Sequence, residues 1–259
     1  MNKPIIFSDL DDTLISSARK ITDVPAKVAS VDKNGQASNY FSKDQWAFFT
    51  HLNQLGRVIP VTARSSSNVL KQLRVKFEHE MVTTHGAKIL DANLIADKAF
   101  SGIIASQLRE IESSIVQTFN RVKQTICPST LISREWAKKT DFKCSIITEY
   151  QLPCYISLRL TVPSQEHILS DIRKELKKSI DLDMFYIVVS GNSLHVIPHF
   201  VSKQTACQYL IDKHYAQSLI ICCGDSLSDY PFLSLGHVFI SPTKSQIAQS
   251  LFSMSQVLK

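Results

Sequence analysis

Short apolar runs alternate along the chain with stretches of helical period. Ile5-Ile6-Phe7 is the first such run, and it leads directly into the polar sequence SDLDDT (8–13). A strand of this kind, buried on both faces, reads as a continuous apolar run. Ser42, Asp44 and the series Trp46, Phe49, Leu52, Leu55 predict a capped helix ending at Gly56. The segment RVIPVTARS (57–65) predicts a second core strand, followed by a helix over 66–79 and a strand within 80–90. Between the first strand and the first helix, Asn34-Gly35 sits among alternating apolar and polar residues and predicts a β-hairpin. Alternation of strand and helix in this order implies a parallel sheet.

The rhythm changes after residue 96. A helix over 99–126 carries Ile103, Ile104, Leu108, Ile111, Ile115, Val116 and Phe119 at helical spacing. Strands near 142–149 and 154–162, a helix from Ser164 to about 180, and strands near 184–190 and 193–197 follow. This order fits an antiparallel sheet with helices on one face. The expected organisation is a core of 1–96 and 191–259 interrupted by an inserted α+β domain over 97–190. The core resumes with a helix (203–215), the apolar strand SLIICC (218–223), a short helix after Asp229 and the strand VFI (238–240).

Composition changes this picture little. The 259 residues are 44% hydrophobic and 20% charged, an ordinary globular balance. No apolar run approaches the roughly 18 residues of a membrane span, and the N-terminal sequence lacks the parts of a secretory signal. A cytoplasmic protein without membrane partners is expected. The net charge of +6 comes from dispersed lysines and arginines without aromatic-basic recognition motifs, which argues against a nucleic-acid partner. Protein partners stay open. Cys127, Cys144, Cys154, Cys207, Cys222 and Cys223 show neither CxxC nor zinc-ligand spacing and are expected as free thiols.

Chemistry concentrates at predicted strand and helix ends. Asp9 and Asp11 point to the same side of an extended chain, where their carboxylates repel each other unless a cation intervenes. A hard, oxygen-seeking ion such as Mg²⁺ suits them. Thr62 in VTAR (61–64) offers a hydroxyl to a phosphate oxygen, and Lys203 offers a cation at a helix start. Asp225 and Asp229 in GDSLSD (224–229) add metal ligands or lysine partners. Together these fragments suit metal-assisted phosphoryl transfer.

Their order resembles that of the haloacid dehalogenase superfamily: an aspartate pair followed by Thr, then Lys, then a second acidic motif. The long insertion, with THGAKIL (84–90) and LHVIPHFVSKQTA (194–206) flanking it, resembles the Cof-type and sucrose-phosphate-phosphatase-like branch. Asp12 stands where Gly is frequent, His85 and Ser228 where Asn is frequent, and Gln204 where Gly is frequent. The resemblance implies a Rossmann-like α/β core with an α+β cap of four antiparallel strands and two helices, opening for substrate and closing for chemistry. It further implies Asp9 as nucleophile and Asp11 as acid and base. Mg²⁺ would be held by Asp9, the Asp11 carbonyl and Asp225, and Asp229 would support the metal shell or Lys203. The expected activity is a Mg²⁺-dependent phosphatase of a small phosphorylated metabolite, a sugar phosphate above all, working through an aspartyl-phosphate. A phosphomutase of the phosphomannomutase type and a non-catalytic binder of a phosphorylated ligand are the alternatives.

Other residues carry weaker expectations. Arg64 faces either the phosphate or a core acid, and His85 either touches substrate or pins its turn. Arg134, Arg159 and Asn192 are candidate substrate contacts in the insertion, with Asn192 equally suited to a hairpin turn.

Overall fold

The computed structural model describes residues 3–126, 142–162 and 166–257. In chain order the elements are β1 (Ile5–Ser8), β2 (Ser16–Ser17), β3 (Lys27–Val31), β4 (Ala37–Phe41), α1 (Lys43–Leu55), β5 (Arg57–Pro60), α2 (Ser66–Gln72), β6 (Met81–Thr83) and β7 (Lys88–Leu90). There follow α3 (Lys98–Glu110), α4 (Glu112–Thr125), β8 (Phe142–Glu149), β9 (Leu152–Leu160), α5 (His167–Leu176), β10 (Phe185–Ser190) and β11 (Ser193–Pro198). The last are α6 (Lys203–Leu210), β12 (Ile220–Cys223), α7 (Tyr230–Leu233), β13 (Val238–Ile240) and α8 (Gln246–Val257). The chain falls into two compact units, Met1–Ser101 with Ser202–Lys259, and Gly102–Val201. No helix among the described residues is long and apolar enough to cross a membrane.

The first unit is built on a parallel sheet of order β13-β12-β1-β5. Ile5, Ile6, Phe7 and Ser8 of β1 are all buried, as a central strand of a parallel sheet requires. Beyond β5, Val61 bridges Val82 in parallel, which carries the pairing on to β6. The α1 helix starts where Ser42 accepts from the Gln45 N–H while the Gln45 side chain accepts from the Ser42 N–H, a reciprocal cap. Its buried face presents Phe49 and Leu52. The centroid of the Phe49 ring lies 5.4 Å from that of Phe41 and 5.5 Å from that of Phe77, which ties the end of β4 into the core. The Asn34-Gly35 turn joins β3 and β4, with Gly35 at φ 80°, and β2 pairs with the far side of β4.

The second unit is an antiparallel sheet of order β10-β11-β9-β8 with helices against it. Its interior joins Ile104, Leu108, Ile115, Val122, Leu169, Ile172 and Leu176 of the helices to Cys154, Ile156, Leu158, Leu160, Leu194 and Val196 of the strands. The expected break after residue 190 falls in the β10–β11 turn, because β11 pairs with both β9 and β10 and completes this sheet. The helix expected over 99–126 is two: Ile111, at φ −111° and ψ 11°, leaves helical geometry between α3 and α4. Among the described residues the insertion therefore shows three helices, α3, α4 and α5, where two were expected.

Other differences are local. The helix expected over 66–79 ends at Gln72. The strand expected within 80–90 is a hairpin, β6 and β7, folded about a tight turn at 84–86. The helix expected over 203–215 leaves α geometry after Leu210 and closes with a wider turn, Ile211–Tyr215. The α8 helix follows the last strand without a corresponding sequence expectation.

Candidate active site

β1, β5 and β12 run parallel and adjacent, so the segments leaving their carboxyl ends converge. The Asp9 N–H donates to Cys223 O at 2.9 Å, which fixes the first aspartate against the end of β12. Lys203, at the first position of α6, donates from Nζ to Asp9 Oδ1 at 2.5 Å and to Asp229 Oδ1 at 2.7 Å. All three side chains are nearly closed to solvent, with the exposure of Lys203 at 12%, Asp9 at 8% and Asp229 at 2%. Asp229 Oδ2 accepts from both the N–H and the hydroxyl of Ser226, at 3.1 and 2.8 Å. Both oxygens of Asp229 thus accept hydrogen bonds, one of them from Lys203. Asp225 accepts from the Thr13 hydroxyl at 3.3 Å.

Carboxylate oxygens of Asp9, Asp225 and Asp229 lie within 4.8 Å of one another. Burial pushes the Asp9 carboxyl well above its usual range; Lys203 opposes the rise, and Asp229, Asp225 and Asp11 add to it. Burial, then Asp229 and Asp12, lifts Asp225 to about 6. Lys203 would be lowered by burial, but Asp229 and Asp9 outweigh that and raise it, so the ammonium is retained. A single ammonium facing three carboxylates leaves negative charge uncompensated. An all-oxygen donor set of this kind fits a hard divalent cation such as Mg²⁺.

Asp11 turns to a different partner. Arg64 grips it with two bonds, Nε to Oδ2 at 2.8 Å and Nη2 to Oδ1 at 2.6 Å. Of the two readings open for Arg64, the observed contact is with the acid. Thr62 is fully buried, and its Oγ1 accepts from the Arg64 N–H at 3.1 Å. Asp12 adopts φ 66°, a left-handed conformation that glycine takes freely and aspartate tolerates better than most residues. It pairs with Lys20 at 2.6 Å. Ser228 places its hydroxyl 2.7 Å from that of Ser226, behind Asp229.

The turn after β6 supports the lysine. Thr84, His85 and Gly86 take φ values of 56°, 54° and 100° in succession. A β-branched residue at positive φ is strained. Gly86 lies so close to the start of α6 that a Cβ there would meet Ser202 O at 2.0 Å and the Lys203 N at 2.8 Å. The His85 N–H donates to Thr62 O at 3.2 Å, and the residue is buried, so the turn links the Thr62 and Lys203 segments. Gly224 is similarly constrained, because a Cβ would stand 3.0 Å from Asp229 Cβ.

Asp9, Asp11, Thr62, Arg64, His85, Lys203, Asp225 and Asp229 all belong to the first unit. Asn192 belongs to the second, where its amide donates to Leu160 O at 3.0 Å and its carbonyl accepts from the Leu160 N–H at 2.9 Å. Those bonds fasten the β10–β11 turn to the end of β9. Arg159 is exposed on β9, and Arg134 lies outside the described residues. Cys154, Cys207, Cys222 and Cys223 are buried free thiols, and Cys144 is half-buried and free; Cys127 lies outside the described residues. Sequence reasoning missed Thr13, Ser226 and Asn39. Thr13 adjoins the aspartate run, and Ser226 stands three residues before Asp229 in capping-box spacing, so both left local signals. Asn39 left none: its Nδ2 lies 3.4 Å from Asp11 Oδ1 across 28 residues of sequence.

Comparison with solved structures places this fold. The Thermoplasma acidophilum protein 0175 aligns at 15% identity over 97% of this chain and 90% of its own, with a TM-score of 0.55. The HAD subclass IIB sugar phosphatase BT4131 aligns at 12% identity over 96% and 90%, with a TM-score of 0.57. The sucrose-phosphatase from Synechocystis sp. PCC6803, solved with sucrose and phosphate, aligns at 14% identity over 99% and 98%, with a TM-score of 0.47. No curated protein matches the chain. These structures share the fold, and a family model matching residues 2–239 defines the class: a phosphatase of the haloacid dehalogenase superfamily, with its parallel-sheet core and an antiparallel insertion. Within that class the chain belongs to the sucrose-6F-phosphate phosphohydrolase family, whose model matches residues 2–239.

Proposed function

We propose that the protein is a Mg²⁺-dependent phosphatase that hydrolyses a small sugar phosphate through an aspartyl-phosphate on Asp9. The observation that carries this reading is the Asp9–Lys203–Asp229 chain of bonds beside Asp225, buried at the ends of parallel strands. Asp9 spends Oδ1 on Lys203, which leaves Oδ2 as the attacking oxygen. As that oxygen bonds to phosphorus, the bond to the sugar oxygen breaks, and Asp11 supplies the proton that the departing oxygen takes. Asp11 then removes a proton from water, whose oxygen attacks phosphorus and releases Asp9 and inorganic phosphate.

Lys203 and the Thr62 hydroxyl face the negative charge that spreads over the transferring group. Lys203 is preorganised for this by its two carboxylate partners, so no solvent has to reorganise when charge develops. Asp9, Asp225 and the Asp11 carbonyl would hold Mg²⁺, with Asp229 behind Lys203. When bound, the ion supplies charge neutralisation at the phosphoryl oxygens. The sugar-phosphate class is supported by family membership.

Phosphate release from a panel of sugar phosphates, nucleotides and phosphoglycerate-type acids, with and without Mg²⁺, tests the reading. Asp9→Asn and Asp11→Asn proteins that still fold are expected to lose release from the best substrate. Undiminished release would remove the nucleophile and acid-base roles. Accumulation of an isomeric sugar phosphate instead of inorganic phosphate would make the protein a mutase.

A further inference from the structure

The β3–β4 hairpin reaches the reacting groups through one side chain. Asn39, on β4, points its amide nitrogen at Asp11 Oδ1, and the surrounding bonds dictate that orientation. Its carbonyl oxygen accepts from the Ser30 hydroxyl at 2.9 Å and from the Ser38 hydroxyl at 3.2 Å. A flipped amide would set its N–H groups toward the oxygens of two hydroxyls and its carbonyl oxygen against a carboxylate. Ser30 is fully buried and faces Asn39 in the strand register, and the register shifts on both sides of that pair. Such bulges re-aim side chains next to active sites. Phe41, two residues on, anchors the strand in the core.

The acceptor count at Asp11 gives this arrangement a chemical consequence. A carboxylate offers about four acceptor positions, two on each oxygen. Arg64 Nη2 and Asn39 Nδ2 occupy those of Oδ1, and Arg64 Nε occupies one of those of Oδ2. The remaining position is on Oδ2. The side chain is 43% exposed, so that position is open to water.

Building on the aspartyl-phosphate reading above, we propose that Asn39 is a positioning residue for the second half of the reaction. With Arg64 it saturates Oδ1 and so selects Oδ2 of Asp11 as the atom that takes the proton from the attacking water. In that step an O–H bond of water breaks and its proton passes to Oδ2. The water oxygen bonds to phosphorus, the bond from phosphorus to Asp9 breaks, and its electron pair returns to the Asp9 carboxylate. With a leaving group that departs as an anion, formation of the phosphoenzyme uses Asp9 as nucleophile and calls on no proton from Asp11.

Rapid quench with p-nitrophenyl phosphate separates the two halves, because nitrophenolate leaves without a proton donor. Phosphoenzyme formation and decay are followed in wild-type, Asn39→Ala and Ser30→Ala proteins of matched unfolding temperature. The expected result for Asn39→Ala is decay slowed about 10-fold, formation within about twofold of wild type, and a larger steady-state fraction of phosphoenzyme. In steady state kcat and KM then fall together while kcat/KM holds. Ser30→Ala, which loosens the amide orientation but keeps the donor, is expected to slow decay by a smaller factor. Equal slowing of formation and decay would mean a merely structural role and overturn the proposal, as would unchanged decay in Asn39→Ala. Absence of a phosphoenzyme in the wild-type protein would overturn the aspartyl-phosphate reading and this inference with it.

Discussion

Burial and neighbouring acids lift the Asp225 carboxyl to about 6. In the unfolded chain the same group titrates near the ordinary carboxylate value. Between these values the folded state binds more protons, so the contribution of Asp225 to stability falls as pH rises, and the penalty is complete above about pH 6. Without divalent cation, Asp225→Asn is therefore expected to stabilise the protein at pH 7 by about 2 kcal/mol and to do little at pH 4. Urea unfolding at the two pH values in the presence of a chelator checks this; destabilisation at pH 7 would contradict it. That Asp9, Asp11, Thr62, Asp225 and Asp229 follow strands and Lys203 starts a helix was legible, because apolar runs end and a cap begins beside them. Their pairings were not. Whether Arg64 meets phosphate or acid depends on where a long side chain ends, and that is set by neighbours 53 residues away in sequence.

At the level of elements, positions hold where caps and apolar runs agree. The Ser42–Gln45 box and Gly56 delimit α1 as expected, and β1, β12 and β13 stand on their apolar runs. The helix over 99–126 failed because the apolar period continues through Ile111 while the backbone does not. A hydrophobic stripe specifies a face, and two successive helices can share one. The 80–90 strand failed for a related reason: the turn at 84–86 uses strained left-handed residues that no composition rule favours. That turn carries its own test. Gly86→Ala forces a Cβ into Ser202 O and the start of α6, at a φ of 100°. The expected cost is about 2–4 kcal/mol in unfolding free energy, with phosphate release reduced at least about 10-fold as Lys203 shifts. Chemical unfolding and kcat measured at a temperature where the variant is folded distinguish the two effects; full stability and activity would show that the close packing is dispensable.

For the molecule as a whole, the proposed Mg²⁺ site in the acidic cluster would link the stability of the first unit to a cation. A ligand that binds the native state alone stabilises it by mass action, about 2.7 kcal/mol at a hundred times its dissociation constant. Mg²⁺ is therefore expected to raise the unfolding temperature of the chelator-treated wild-type protein saturably, by about 5 °C or more. Asp225→Asn protein should lose most of that response. Calorimetry with Ca²⁺ and Mg²⁺ in parallel reports the effect without any reliance on turnover. A response of equal size in the variant would place the cation elsewhere.

Sequence alone determined which polar residues stand at the strand and helix ends of the first unit, and that a differently built segment follows residue 96. These are properties of adjacent residues: apolar runs, caps and carboxylate spacing act within a few positions of one another. Only the tertiary structure decided the partners. It set Lys203 between Asp9 and Asp229, turned Asp11 toward Arg64 and Asn39, and carried the second sheet on through β11. Each of these joins segments distant along the chain, and such contacts depend on how sheets pair and side chains pack once every element has folded against the others.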